Sequence, residues 1–153
     1  MAGNMVGSET QVDSLTEAAR ALVRVARMLE HAASDLTLPQ YRLLVMVAGG
    51  DQRASKLAGR LALSKPTVTA AVDGLVERGL LIRSEVPCDR RAVDLSLTDE
   101  GRRALAATDA AISERLARVL DRCADPTLAR DGLLQLSAAV EAVVAERLAE
   151  GGK

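Results

Sequence analysis

Apolar positions recur at helical spacing along most of the chain. Over residues 14–31 the leucines repeat every seven residues, which predicts a helix with an apolar seam that faces other helices. Two long C-terminal helices are predicted with the same kind of seam, the first capped by Thr98 and the second begun by Asp125-Pro126. All three helices require an apolar partner, and a second copy of the chain is the simplest one.

A shorter pattern lies between these long helices. A helix is predicted from Pro39 to Ala48, because proline is tolerated in a first turn and Thr37 or Leu38 precedes it. Another helix follows after the glycine pair at 49–50, and either Asp51 or Ser55 has to cap it.

Residues 57–101 carry the pattern of a helix-turn-helix followed by a charged hairpin. Ser64 is the predicted N-cap of a helix from Lys65 to Arg78, which Gly79 ends. Strands are predicted at 80–84 and 93–97, with a turn between them. One helix suits a DNA major groove and a charged hairpin suits the backbone or minor groove, so the pattern indicates a winged helix-turn-helix.

The predicted fold is therefore mainly α with a small β-hairpin wing, a winged helix-turn-helix joined to a helical dimerisation region. We expect residues 1–13 to be a flexible tail and 14–35 a dimerisation helix. Residues 36–101 would form the DNA-binding domain and 102–150 the C-terminal dimerisation helices. The start of the chain lacks the apolar stretch of a signal peptide and no apolar run spans a bilayer, so we expect a cytoplasmic protein without a membrane partner.

Composition and charge refine this picture. The chain has 153 residues, 48% of them hydrophobic, with no Phe and no Trp, so the core has to be built from Leu, Val and Ala rather than around a large aromatic pocket. The net charge is −1, but residues 53–103 hold ten Lys and Arg against seven Asp and Glu, a local charge of +3. A basic middle between acidic ends favours DNA as the partner, although solvated helix faces would give a similar distribution.

Candidate DNA contacts lie in three places. They are the outer face of the predicted helix 65–78 near its N-terminus, the turn of the hairpin, and the first helix of the helix-turn-helix. Short side chains allow the backbone to approach the bases, threonine can meet base edges or thymine methyls, and arginines at a turn suit the minor groove and phosphates. The predicted residues are Lys65, Pro66, Thr67, Thr69, Ala70, Arg90, Arg91, Lys56 and Arg60. The opposite face carries the predicted core residues Val68, Val72, Leu75 and Val76.

Several segments, taken in order, resemble the MarR (multiple antibiotic resistance) family of regulators. They are Leu-Thr-Leu-Pro-Gln-Tyr at 36–41, Leu57-Ala58, Ser-Lys-Pro-Thr-Val-Thr at 64–69, the run 72–80, and Asp89-Arg90-Arg91 followed by Leu-Ser-Leu-Thr at 95–98 and Gly101. The resemblance implies a homodimeric winged-helix repressor on a pseudo-palindromic operator, with an affinity altered by a small molecule or by oxidation.

The same resemblance implies roles for further residues. Asp73 matches a position that orients the wing arginine, so we expect it to contact Arg91, with Asp89 holding Arg91 or the turn. Many relatives carry a longer polar side chain where this chain has Ala70 and Gly74, which shifts the expected readout towards the wing and DNA shape.

Family pockets lie between the DNA-reading domain and the dimer helices, so the resemblance also implies where an effector would bind. The candidate pocket residues are Met28, His31, Tyr41 and Arg42. The arginine would suit an anionic ligand, although a salt bridge competes for it.

Other chemistry is poorly supported. Cys88 and Cys123 fall in no zinc-binding pattern, so no metal or cofactor is expected, and Cys123 is interpreted as a small core residue. A redox switch at Cys88 is an alternative, but the redox-sensing branch of the family carries its cysteine in the first helix, where this chain has none.

The presence of only one His and the lack of a phosphate-binding glycine loop argue against an enzyme. A winged helix that binds protein rather than DNA is the other alternative.

Overall fold

The computed structural model describes the backbone of residues 5–32, 35–50, 54–61, 63–86 and 89–150. Within its helices and strands, the side chains that lie outside the described part are those of 5–12, 54–56, 58, 85–86, 89–92 and 148.

Six helices and one hairpin make up the described fold. In chain order they are α1 (Met5–Ala32), α2 (Leu38–Ala48), α3 (Ala54–Leu61), α4 (Lys65–Glu77), β1 (Leu81–Val86), β2 (Asp89–Leu97), α5 (Asp99–Leu120) and α6 (Pro126–Glu150). The predicted fold class, mainly α with a small hairpin wing, is confirmed.

Local hydrogen bonds explain why several helices begin where they do. Thr37 caps α2 in a capping box: its hydroxyl accepts from the Gln40 amide at 3.4 Å, and its own amide donates to the Gln40 side chain at 3.1 Å. At α5, the Thr98 hydroxyl accepts from the Gly101 amide at 2.9 Å. At α6, the Asp125 carboxylate accepts from the Leu128 amide at 2.9 Å. Helix α2 begins at Leu38, so Thr37 is its N-cap and Pro39 lies in its first turn.

One apolar core joins α2, α3, α4 and the hairpin. Its most buried side chains are leucines: Leu43, Leu44, Leu57, Leu61, Leu75 and Leu95. The predicted inner face of α4 is confirmed, since Val68, Val72 and Leu75 are buried and Val76 packs against the core. A core of this kind is what a chain without Phe and Trp can build.

The wing is a two-stranded antiparallel hairpin in which Leu81 pairs with Leu97. Its register shifts between Glu85 and Val86, and Val86 then pairs with Asp89. Because the pairing of the two strands continues as far as Val86 and Asp89, residues 89–91 begin strand β2. The prediction that they form the turn is therefore wrong.

The first helix is longer than predicted. It begins at Met5 rather than at Ser14, so the prediction of a flexible tail is wrong for residues 5–13, while residues 1–4 lie outside the described part. A polar composition indicates solvent exposure, but no proline interrupts this segment and its residues are compatible with a helix.

The long helices retain apolar surface in the single chain. Helix α1 contacts α5, and α6 contacts α3 and α5. Even so, large apolar side chains on them remain exposed: Leu15, Leu22, Val23, Val119, Leu128, Leu134, Leu136, Val140 and Val143.

Cys123 is exposed too, and its Sγ lies 3.7 Å from the Val119 carbonyl oxygen. Its interpretation as a core residue is wrong, because α5 already ends at Leu120. None of the described helices is apolar over a length that would cross a bilayer.

Candidate nucleic-acid interface

Helix α4 presents the predicted recognition residues to solvent. Lys65, Pro66, Thr67, Thr69 and Ala70 are all exposed, while the opposite face of the helix is in the core. The structure therefore brings these five residues together on one free surface at the N-terminal half of α4. Apart from Lys65 their side chains are small and leave the backbone accessible, as a helix that enters a major groove requires.

Hydroxyl groups organise the first turn of α4. The Ser64 hydroxyl accepts from the Thr67 amide at 3.3 Å, and it lies 2.7 Å from the Thr67 hydroxyl. The predicted cap is confirmed. The Thr67 hydroxyl is thus held by its neighbour, whereas Lys65 places a cation beside the positive end of the helix, which favours an anion there.

Gly74 occupies a different place from the one the sequence suggested. A Cβ built on it would lie 3.2 Å from Nε2 of Gln40, so this position faces helix α2. Its lack of a side chain serves the packing of α4 on α2. Gly74 is therefore no evidence of sparse contact with bases, whereas Ala70 is exposed on the outer face of α4.

Asp73 ties the recognition helix to the wing, but through an unexpected partner. Its carboxylate accepts a hydrogen bond from the guanidinium of Arg83 on β1, and both side chains are about half exposed. The prediction named Arg91, whose side chain lies outside the described part. Strand alternation places Arg83 on the same face of β1 as the buried Leu81, and β1 contacts α4.

The remaining predicted DNA contacts fall on two other elements. Arg90 and Arg91, with Asp89, lie at the start of β2, and Lys56 lies in α3, but the structure describes none of these four side chains. Arg60 is exposed near the end of α3. Cys88, the alternative redox site, lies outside the described residues.

None of the four predicted effector-pocket residues is among those that line the cavity described by the structure, and their role in binding an effector stays a prediction. The Arg42 guanidinium donates to the Leu61 carbonyl at 2.9 Å, and Nδ1 of His31 lies 2.7 Å from the Arg27 carbonyl oxygen. Met28 is half-buried on α1. A cavity of about 350 Å³ is lined instead by residues of α2, β2 and α5: Val47, Ala48, Leu95, Ser96, Leu97, Arg102, Leu105, Ala106 and Asp109.

Tyr41 connects the winged domain to α5. Its hydroxyl donates to the Asp109 carboxylate at 2.7 Å, across 68 positions of sequence. Burial, together with the hydrogen bond to Asp109 and the charge of Asp109, raises the pKa of Tyr41 to about 12. This phenol is therefore a neutral hydrogen-bond donor throughout the physiological range.

Among the described residues, no three His, Cys, Asp or Glu side chains lie together as a metal site would require. The exposed groups on α4 and β1 offer hydrogen bonds and positive charge, which suit the recognition of a polyanion.

Comparison with known proteins agrees with this geometry. A family model described as MarR family matches residues 34–92. An uncharacterised HTH-type transcriptional regulator of Bacillus subtilis (strain 168), YhbI, is 41% identical over 68 residues. The match covers 44% of this chain and 44% of YhbI, so it spans less than half of that relative.

Solved structures are similar over most of the chain. The transcriptional repressor CouR bound to a 23-mer DNA duplex has a TM-score of 0.71 and 30% identity, covering 81% of this chain and 89% of CouR. CouR from Rhodococcus jostii RHA1 has also been solved with p-coumaroyl-CoA, with a TM-score of 0.66, 22% identity and coverage of 82% and 87%. A MarR family regulator from Rhodococcus sp. RHA1 has a TM-score of 0.72 and 22% identity, with coverage of 88% and 94%.

Proposed function

Because the chain belongs to the MarR family of transcriptional regulators, we propose that it binds a specific DNA operator and represses transcription. The observation that carries this proposal is the exposed N-terminal half of α4, whose small residues leave a helix surface accessible beside a charged hairpin. The proposed activity is binding rather than catalysis, and work on DNA would place the protein in the cytoplasm.

Each part of the interface has a proposed role. The side chain of Lys65 binds phosphate, while Thr67, Thr69 and Ala70 approach base edges and thymine methyls in the major groove. Arg90 and Arg91 bind the minor groove and its phosphates from the wing. Lys56 and Arg60 of α3 add phosphate contacts that position the protein without specifying sequence.

We propose that the functional unit is a homodimer. The exposed apolar side chains of α1, α5 and α6 lie outside the winged domain, and a two-fold partner would bury them. A dimer also presents two α4 helices to major grooves about one helical turn apart, which predicts a pseudo-palindromic operator.

A small-molecule effector is part of the same proposal. It would change the relative positions of the two reading heads and so shift the population of the DNA-competent state. CouR, which is similar over most of the chain, has been solved both with DNA and with p-coumaroyl-CoA.

The test is fluorescence-anisotropy titration of a duplex from upstream of the protein's own gene, beside a scrambled duplex, at two salt concentrations. We expect tight, salt-sensitive binding of the upstream duplex by a dimer. Arg91→Ala should cost on the order of 1–3 kcal/mol of binding, while Lys65→Ala should weaken both duplexes and reduce the salt slope by about one unit.

Arg118→Ala on α5 is the matched control, because it removes a cation that already pairs with Glu114 away from α4. It should bind DNA as the unaltered chain does. Equal, weak binding to both duplexes, unchanged by Lys65→Ala and Arg91→Ala, would overturn the proposal in favour of a protein-binding winged helix.

A further inference from the structure

The cavity of about 350 Å³ lies where the end of α2, the second half of β2 and the first turns of α5 meet. Its apolar wall consists of core side chains and their neighbours: Val47, Leu95, Leu97 and Leu105. This volume lies within the range of roughly 300–1,000 Å³ that small-molecule sites occupy. The cavity therefore has room and apolar surface for a compact organic body.

Two charged side chains stand at its edge, and they differ in how far their charge is compensated. The Arg102 guanidinium donates to the Asp99 carboxylate at 2.7 Å and to the Leu97 carbonyl at 3.2 Å. The hydrogen bond from Arg102 to Asp99, together with the positive charge of Arg102, lowers the pKa of Asp99 and keeps that carboxyl ionised. The positive charge of Arg102 is therefore already paired with a negative one.

Asp109 is different. In the part of the chain that the structure describes, its carboxylate accepts from the neutral hydroxyl of Tyr41 and forms no ion pair. The uncompensated charge of the cavity is therefore negative. A ligand that supplies a cation beside Asp109 gains a charge-assisted hydrogen bond, whereas an anion would meet repulsion.

We propose that this cavity binds a compact organic cation. Its apolar body packs against Leu95, Leu97 and Leu105, and its protonated amine binds the carboxylate of Asp109. Met28, His31 and Arg42 do not line this cavity, and it selects the opposite charge from the anionic ligand that an arginine pocket would take.

The site also has a route to regulation, and in this respect it rests on the proposed function. Tyr41 of the winged domain and the bound amine share one acceptor, the Asp109 carboxylate on α5. An ammonium bound to this carboxylate neutralises its charge and thereby weakens the hydrogen bond from Tyr41 that ties α2 to α5. Because DNA affinity depends on how the two reading heads are held, the ligand would shift the population of the DNA-competent state.

The probe for the test is adamantylamine, a compact apolar cage with a protonated amine, and its matched anion is adamantanecarboxylate. Titration calorimetry of the full chain without DNA measures both affinities. Tyr41 fluorescence gives a second readout, because Tyr41 is the only aromatic side chain of the protein and neither probe absorbs in its range. We expect saturable binding of the amine, about tenfold or more tighter than that of the carboxylate, together with a change in Tyr41 emission.

Three variants identify the site. Asp109→Asn keeps the hydrogen-bond acceptor but removes the charge, so the preference for the amine should disappear. Ala106→Leu places a larger side chain in the cavity and should weaken both probes. Glu114→Gln, on α5 but outside the cavity, is the control and should bind as the unaltered chain does, with circular dichroism used to check that every variant is folded.

The absence of saturable amine binding to the folded chain would overturn the proposal. Equal affinities for the two probes, or unchanged amine binding by Asp109→Asn, would do the same. No DNA is present in these titrations, so a negative result would not contradict the proposed DNA-binding function. Conversely, a failure of the protein to bind DNA would not change the result of the ligand titrations.

Discussion

Gly101 packs directly on the backbone of Leu80. A Cβ built on Gly101 would come 2.0 Å from the Leu80 carbonyl oxygen and 3.0 Å from its carbonyl carbon. The contact joins the first turn of α5 to the start of the wing, and the Thr98 amide donates to the same carbonyl at 3.2 Å. The glycine of the Leu-Ser-Leu-Thr-x-x-Gly run is thus required by a close backbone approach rather than by its dihedral angles.

Gly101→Ala should therefore destabilise the protein. The atom that it meets is backbone, which cannot move aside as the end of a flexible side chain does, so we expect a loss of about 1–3 kcal/mol or more in the free energy of unfolding. Urea denaturation measures it. Gly132→Ala in α6 is the control: a Cβ there meets nothing within 4 Å, and alanine should stabilise the helix by up to about 1 kcal/mol. Equal stabilities for the two variants would contradict the packing argument.

Thr98 performs two tasks with one hydroxyl. It accepts from the Gly101 amide as the N-cap of α5 and donates to the Gly79 carbonyl at 2.7 Å. Thr98→Ala removes both bonds and should cost about 0.5–2 kcal/mol in thermal or urea unfolding. Thr98→Ser keeps the hydroxyl and should recover most of the loss, so a serine variant as unstable as the alanine one would speak against the cap.

Tyr41 makes the folded state sensitive to alkaline pH. Its pKa is raised from 10.0 to about 12, so folding favours the neutral phenol. This contribution is fully present below pH 10 and is lost as the pH rises from 10 through about 12. The near-ultraviolet absorbance of tyrosinate reports this residue alone, because the chain has one Tyr and no Trp.

Asp109→Asn should lower the pKa of Tyr41, because it removes the negative charge while the burial of the phenol remains. A tyrosine that titrates at its ordinary value in the unaltered chain, or that titrates identically in the two proteins, would disprove the Tyr41–Asp109 contact.

The pair Asp73–Arg83 should couple only weakly in stability. Both side chains are exposed by about half, 56% and 43%, so water and salt screen the interaction. A double-mutant cycle with Asp73→Asn and Arg83→Gln should give about 0.2–1 kcal/mol in low salt, and less in high salt. Additive single and double variants at low salt would show that the contact does not tie the recognition helix to the wing.

Much of the architecture follows from interactions between residues that are close in sequence. Thr37, Ser64 and Thr98 each accept a hydrogen bond from an amide three residues ahead, so their helix starts can be predicted without knowledge of the fold. The core face of α4 follows from helical spacing in the same way. By contrast, local sequence predicts a turn at wing residues 89–91, because the register shift that extends β2 depends on the partner strand.

The winged helix-turn-helix, its caps, its leucine core and the exposed face of α4 can be predicted from the sequence, because each rests on periodicity or on contacts within one helical turn. The contacts of Asp73 with Arg83, of Gly74 with Gln40 and of Tyr41 with Asp109 come instead from tertiary packing. These contacts depend on how separate helices and strands pack, and residue spacing carries no record of which side chains meet across such interfaces. The cavity beside Asp109 belongs to the same class, because three elements from different parts of the chain form its walls.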